Sequence, residues 1–261
     1  MNCVLTIAGS DSGAASGIQA DLKSIAAHGG YGVTVLTAVT AQSTDAVTAT
    51  LPVPAAVVTA QIDAVRAGFE VAAVKSGMLV DTERVTAVAR VLGAWQPPNY
   101  VLDPVIVSTS GHTLLSPAGV EAMVGELLPL AALVTPNVGE AERLAGLKIA
   151  SVSDAHAAGE IILRHGCGAV LIKGGHLGSS PATDVLIHPG GTLILHGDFV
   201  ADARPRGTGC TLSAAIAARL GRGDSLAEAV ASAKGYVGSA IRHAAATGDR
   251  LLDHFHAMGT V

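Results

Sequence analysis

The chain has 261 residues, of which 49% are apolar and 14% charged, with a formal net charge of −5. It holds 31 Gly but only 3 Phe, 3 Tyr and 1 Trp, and its mean hydropathy is +0.48. This excludes a disordered chain, which would be charged and poor in aliphatics. It also excludes collagen, because the glycines have no three-residue period, and the absence of a basic run argues against a nucleic-acid surface.

The N-terminus has no basic stretch, so no secretory signal is expected. Cys3 to Ala8 is an apolar run closed by Gly9 and reads as a buried strand. Gly9 to Gly17 (GSDSGAASG) is a loop of small and polar residues. Ile18 to His28 has helical spacing and ends at Gly29-Gly30, a plausible cap. The charge-free stretch Ser24 to Thr44 is the best membrane candidate. It carries His28, three glycines, Gln42 and several Thr, whereas a spanning helix needs roughly 20 mainly apolar residues. Val33 to Val39 reads as a second strand instead.

Pro54 to Ala67 reads as a helix, Val71 to Val74 as a strand and Asp81 to Leu92 as a helix with Asp81 or Thr82 near its N-cap. Val101-Leu102 is a short strand running into Asp103-Pro104, and Pro117 to Leu128 a helix. Ala132 to Val134 is a strand, Asn137 to Leu144 and Ala155 to His165 are helices, and Ala169 to Lys173 is a strand. Val185 to His188 and Thr192 to His196 flank Pro189-Gly190-Gly191, a hairpin signal. Thr211 to Leu220 and Leu226 to Ala245 close the chain as helices. The alternation runs without a linker. It predicts one α/β domain over residues 1–261, with a mostly parallel sheet covered by helices on both faces.

Ligands on such sheets sit beyond the carboxyl ends of the strands. Gly9-Ser10-Asp11, Gln42, Lys75, Asp103, Asn137 and Lys173 all fall there. Gly207-Thr208-Gly209-Cys210 opens a helix with no acid in its first turns, so its N–H groups and dipole suit an anion. An ordinary tight turn would look the same. Cys210 at a helix start has reason for a lowered thiol pKa and a weak-base role; a small buried residue is the plainer reading. Asn137 and Glu140 share a helix face, which suits a hydrated Mg²⁺ or a capping pair, and Asp103 adds a carboxylate. Lys173 at a strand end suits a phosphate, or stands solvated. His254 and His256 are two apart with no accompanying metal motif. The three Cys are odd in number and far apart, which suits a reducing cytosol. No Walker A, GxGxxG, HExxH or GxSxG motif is present.

Together the segments TIAGSDS (6–12), GIQADLK (17–23), TAVTAQST (37–44), KSGML (75–79) and LDPV (102–105) resemble one family. SGHTLLSP (110–117), TPN (135–137), GCGAVLIKGGH (166–176), GTGCTLSAAIAA (207–218) and DHFHA (253–257) continue the match in order. The chain is similar to bacterial hydroxymethylpyrimidine/phosphomethylpyrimidine kinases of the ribokinase-like superfamily. The resemblance implies a three-layer α/β/α fold with a small β-hairpin flap. It implies ATP- and Mg²⁺-dependent phosphorylation of 4-amino-5-hydroxymethyl-2-methylpyrimidine and then of its monophosphate, on the route to thiamine pyrophosphate. It places Gly9, Asp21, Gln42, Met78 and Val105 around the pyrimidine, and Gly207, Thr208, Gly209 and Cys210 at the anion hole. Lys173, Thr208 and Arg206 would meet ATP, and Asp103, Asn137 and Glu140 would organise Mg²⁺. A cytoplasmic homodimer is implied, binding a small pyrimidine, with neither nucleic acid nor membrane as a partner. The chain departs from the family pattern at Ala14 and Ala15, where glycines are usual, and at Thr109, Arg204, Arg206 and Gly248–Leu251. A pyridoxal or pyridoxine kinase of the same fold, or a catalytically weak pyrimidine-binding regulator, are the other readings.

Overall fold

The computed structural model describes residues 2–43, 45–107, 113–177, 180–200 and 205–257. Thr44, Thr109, residues 110–112 of SGHTLLSP and Arg204 lie outside them.

Among the described residues nine strands form one sheet. In chain order they are β1 (Cys3–Asp11), β2 (Tyr31–Gln42), β3 (Val47–Pro52), β4 (Val71–Ser76), β5 (Tyr100–Leu102), β6 (Leu133–Val134), β7 (Val170–Ile172), β10 (Asp184–His188) and β11 (Gly191–Leu195). A separate pair, β8 (His176–Leu177) and β9 (Ser180–Pro181), makes a small antiparallel hairpin. The sheet order is β11-β10-β7-β6-β5-β4-β1-β2-β3. From β7 through β2 neighbouring strands are parallel; β3, β10 and β11 are antiparallel at the two edges. The hairpin expected around Pro189-Gly190-Gly191 therefore extends the main sheet, and β8–β9 is the detached flap-like piece.

The α-helices of the described residues that cover the sheet are α1 (Gly17–Ala27), α2 (Ala55–Gly68), α3 (Thr82–Trp95), α4 (Pro117–Ala122), α5 (Val138–Ala145), α6 (Val152–Leu163), α7 (Thr208–Gly221) and α8 (Leu226–Thr247). Alternate residues of a strand face opposite sides. Accordingly Leu5 and Ile7 join one apolar cluster, while Val4 joins the other. The first cluster holds Val58 and Ile62 of α2, Val85 and Val88 of α3 and Ile162 of α6. The second holds Ile25 of α1, Ile216 of α7 and Val230 of α8. Both faces are buried, which is why the strands read as continuous apolar runs.

Three differences from the sequence reading have clear causes. The first strand runs on to Asp11, through an irregularity between Ala8 and Ser10, so its polar tail is strand rather than loop. Strand β3 was not anticipated. Its outward residues leave no apolar run, and it pairs only along one edge, with β2. The expected helix Pro117 to Leu128 is α4 followed by one wider turn (Met123–Leu127) and a tight turn (Leu128–Leu130) containing Pro129, which cannot donate to the helical ladder.

Candidate active site

The parallel strands deliver their carboxyl ends to one rim. There they border a cleft of about 450 Å³ that also takes in the start of α7 and one face of α8. Gly9, Gln42, Met78, Val105, Asp103, Asn137, Glu140, Lys173, Arg206, Gly207, Thr208, Gly209 and Cys210 all line it. Of the expected site residues only Asp21 is not on its wall. Asp21 is fully buried on α1, beneath the floor, where the mainly aliphatic sheet would otherwise exclude a charge.

The first loop is held by Asp11. Its Oδ1 accepts from the Gly13 amide at 2.8 Å, and its Oδ2 from the Ser16 amide at 2.9 Å and the Ser16 hydroxyl at 2.8 Å. The Gln42 side-chain amide donates to the same oxygen at 3.3 Å. Two glycines are steric requirements. A Cβ on Gly17 would lie 2.3 Å from the Gly9 carbonyl oxygen, and one on Gly207 would lie 1.7 Å from that of Ala15. The loop and the start of α7 are thus in backbone contact, and both glycines have positive φ (+60° and +79°). Ala14 has a φ of 55°, so the left-handed position expected in this loop exists and carries a side chain; Ala15 does not share it.

Two lysine–aspartate pairs stand at the cleft. Lys75 at the end of β4 reaches both oxygens of Asp21 at 2.9 and 3.0 Å, and Thr6 donates its hydroxyl to Asp21. Lys173, just beyond β7, reaches Asp103 at 2.9 Å. Asp103 also accepts from the Thr135 hydroxyl at 3.2 Å and the Ser213 hydroxyl at 3.3 Å. Burial opposes the charge on Asp103, but Lys173 and Lys75 outweigh it and hold its carboxyl below the usual range. Burial also opposes the Lys75 ammonium, and Asp21 more than restores it. Asp11 and Lys75 line the cleft, as their place at strand ends suggested, although the resemblance gave them no role; the third pair, Lys234–Asp184 at 2.7 Å, also lines it and was not expected. Lys75 and Asp11 carry a readable signal, a polar residue ending an apolar strand. Lys234 sits mid-helix on α8 and carries none.

Asn137 and Glu140 form the capping pair. The Asn137 side chain accepts from the Glu140 amide at 2.9 Å and Glu140 accepts from the Asn137 amide at 2.9 Å. The other Glu140 oxygen accepts from the Ile106 amide at 3.3 Å. Burial pushes the Glu140 carboxyl up to about 7, with Lys173 opposing the rise. Each carboxylate oxygen of Asp103 and Glu140 thus has a protein partner but keeps lone-pair capacity facing the cleft. That set fits a hydrated Mg²⁺ approached through its waters, the habit of an ion that keeps several of them.

Of the two readings of Cys210, the geometry favours the plainer, buried one. Burial drives its thiol up to about 11, against the pull of Lys75 and of the Gly17 amide. Desolvation prevails over these and favours the thiol over the thiolate at neutral pH. His254 is buried, bonded to the Thr211 hydroxyl at 3.0 Å and the Leu252 carbonyl at 3.1 Å. His256 instead lies against the Tyr236 ring at 5.4 Å, so the two histidines serve different contacts.

Comparisons with known proteins show the family. The family model described as "Phosphomethylpyrimidine kinase" matches residues 11–253. The chain is 48% identical to a hydroxymethylpyrimidine/phosphomethylpyrimidine kinase of Rhizobium meliloti (strain 1021), over 97% of this chain and 96% of that one. Among solved structures it resembles the phosphomethylpyrimidine kinase of Clostridium difficile 630 at 40% identity and a TM-score of 0.83, covering 92% of this chain and 100% of that one. It also resembles the pyridoxal kinase of Staphylococcus aureus in complex with AMP-PCP and pyridoxal, at 37% identity and a TM-score of 0.84, covering 93% and 88%. With the family model spanning the strand ends and the α7 turn that build this cleft, the chain belongs to the phosphomethylpyrimidine kinase family.

Proposed function

We propose that this protein transfers the γ-phosphoryl group of ATP to 4-amino-5-hydroxymethyl-2-methylpyrimidine and then to the resulting monophosphate, in thiamine pyrophosphate biosynthesis. One observation carries the reading. The acidless start of α7 (Gly207–Cys210) and Lys173 share a cleft with Gln42, Met78 and Val105, so an anion site and a mainly apolar ring site stand together. Kinase relatives, including one solved with AMP-PCP, support ATP as the donor.

In this reading Gly207, Thr208 and Gly209 offer backbone N–H groups to the transferring phosphoryl, and Lys173, Thr208 and Arg206 bind the ATP phosphates. Gly9, Gln42, Met78 and Val105 hold the pyrimidine, Gln42 by an amide that offers both a donor and an acceptor. Asp21 acts from below, through Lys75. Asp103, Asn137 and Glu140 would hold the waters of Mg²⁺, which when bound neutralises phosphate charge. The acceptor oxygen attacks the γ-phosphorus, the bond to ADP breaks, and the hydroxyl proton passes to the phosphoryl oxygens. Cys210 need not remove it, because phosphoryl transfer is governed by positioning and charge more than by a base.

We read residues 1–261 as one catalytic domain of a cytoplasmic homodimer. Among the described residues no helix is long and apolar enough to cross a membrane. Val39 and Leu51 face each other across β2 and β3 and are 47% and 69% exposed, an apolar edge that suits a second copy. Light scattering tests this. A coupled ADP-release assay with the alcohol, the monophosphate and pyridoxal tests the activity. Turnover on both pyrimidines is expected; turnover on pyridoxal alone would replace this reading with a vitamin B6 kinase, and turnover on none would remove it.

A further inference from the structure

The transfer just described gives Asp21 a part only through Lys75 and gives Lys75 itself none. Both side chains are fully buried, yet only Lys75 borders the cleft. Asp21 Oδ2 accepts from the Thr6 hydroxyl as well as from Lys75. The pair is thus a neutral dipole with its positive end toward the cleft floor. An ammonium has three N–H donors. Asp21 is the only acceptor that takes them among the described residues, at its two oxygens, which leaves donor capacity unused in a side chain with no exposure. A Cβ placed on Gly77 would stand 2.8 Å from Lys75 Nζ and 3.4 Å from the Ala8 Cβ, and Gly77 leads directly into Met78. Lys173 stands at the start of α7, where a Cβ on Gly209 would lie 3.3 Å from its Nζ. Both ammonium groups act on Asp103 and on Cys210. Lys173 stands at the anion hole, and Lys75 beneath the wall assigned to the ring. Buried away from salt, the Lys75 dipole acts with little screening.

We propose that Lys75, oriented by Asp21, is a positioning residue that determines preference for an anionic acceptor. The proposal rests on the kinase reading above, in which the second acceptor is itself a phosphate monoester. The alcohol gains from a fixed positive charge only as its oxygen reacts, whereas the monophosphate carries its charge from the start.

The test compares Lys75→Met and Asp21→Asn with the unmodified protein. Lys75→Met is expected to lose about 100-fold in kcat/KM for the monophosphate and less than about tenfold for the alcohol, as loss of one charge-assisted contact implies. Equal losses would overturn the proposal. A second readout is independent of turnover: the pH profile of Cys210 alkylation by iodoacetamide, followed on the peptide that carries it. Lys75, Asp21, Asp103 and Lys173 are the charged groups that act on this thiol. Lys75→Met should move the profile to higher pH and Asp21→Asn to lower pH; shifts of one sign, or none, refute the oriented dipole. If Lys75→Met does not fold, the Asp21→Asn/Lys75→Met double variant removes both charges together, the milder change for a buried pair, and should show the same selective loss. An unmodified protein that turns over neither pyrimidine would sink the kinase reading; an active one with equal losses in the variants would sink only the role of Lys75.

Discussion

Two lysine–aspartate pairs of like length differ in access. Lys75 and Asp21 have no side-chain exposure, whereas Lys173 and Asp103 keep 15% and 3%. The closed pair involves only Thr6 besides its two members. The open pair is shared with Thr135 and Ser213, and Glu140 lies within its field. A closed pair holds a fixed field, while an open pair can exchange its carboxylate for a ligand phosphate. In the proposed reading the closed pair serves the acceptor and the open pair the donor nucleotide.

Lys173→Met breaks the comparison at the donor end and has the largest expected effect. Turnover should fall by about 10³-fold with either acceptor, because the donor is common to both steps. Steady-state kinetics with saturating ATP measures this, and a loss confined to one acceptor would contradict the division. Gly207→Ala comes next. It forces a Cβ into the Ala15 carbonyl at a positive φ, so it should separate the loop from α7. We expect a loss of about 3 kcal/mol in stability by denaturant titration, together with most of the activity. Cys210→Asp adds a carboxylate within the Gly207–Cys210 turn, where both lysine–aspartate pairs act on it. It should slow the monophosphate step by about tenfold or more while sparing the alcohol step, since like charges repel in a buried site. Equal rates for the second step in variant and unmodified protein would refute the repulsion.

A smaller effect belongs to the tail that braces α7. Burial lowers the His254 pKa from 6.5 to about 4. The folded state therefore resists a proton that the unfolded chain takes up, and stability present above pH 6.5 is lost as pH falls from 6.5 towards 4. The loss amounts to at most roughly 3 kcal/mol. Urea titrations across that range should show it, and His254→Gln should flatten the slope. The smallest change is Ala14→Gly, which relieves a φ of 55° but frees the unfolded chain. The two terms nearly cancel, so the net shift should stay within about 1 kcal/mol by thermal melting, and a larger loss would show that the Ala14 methyl packs.

Much of the fold was legible because its strands are buried on both faces and its helices are capped by readable residues. Asp81, Ser116, Asn137, Ser151 and Ser225 each accept from an amide of the first turn, as local chemistry predicts. Strand β3 escaped because an edge strand with exposed residues lacks the apolar run that marks a central one. The site was legible where a polar residue interrupts a strand end, as at Asp103 and Lys173. It was not legible at Lys234, whose partner Asp184 lies fifty positions away.

By itself the sequence determined the alternation of strands and helices, the glycine turn before α7 and the row of polar strand ends. These depend on neighbours within a few residues, and local backbone preference is enough to express them. Only the tertiary structure decided that Asp21 lies under the floor, that Cys210 remains a thiol, and that Gly207 must be glycine because Ala15 stands against it. Charge state and close approach depend on which groups distant segments bring into a low-dielectric interior, and no spacing along the chain encodes that directly.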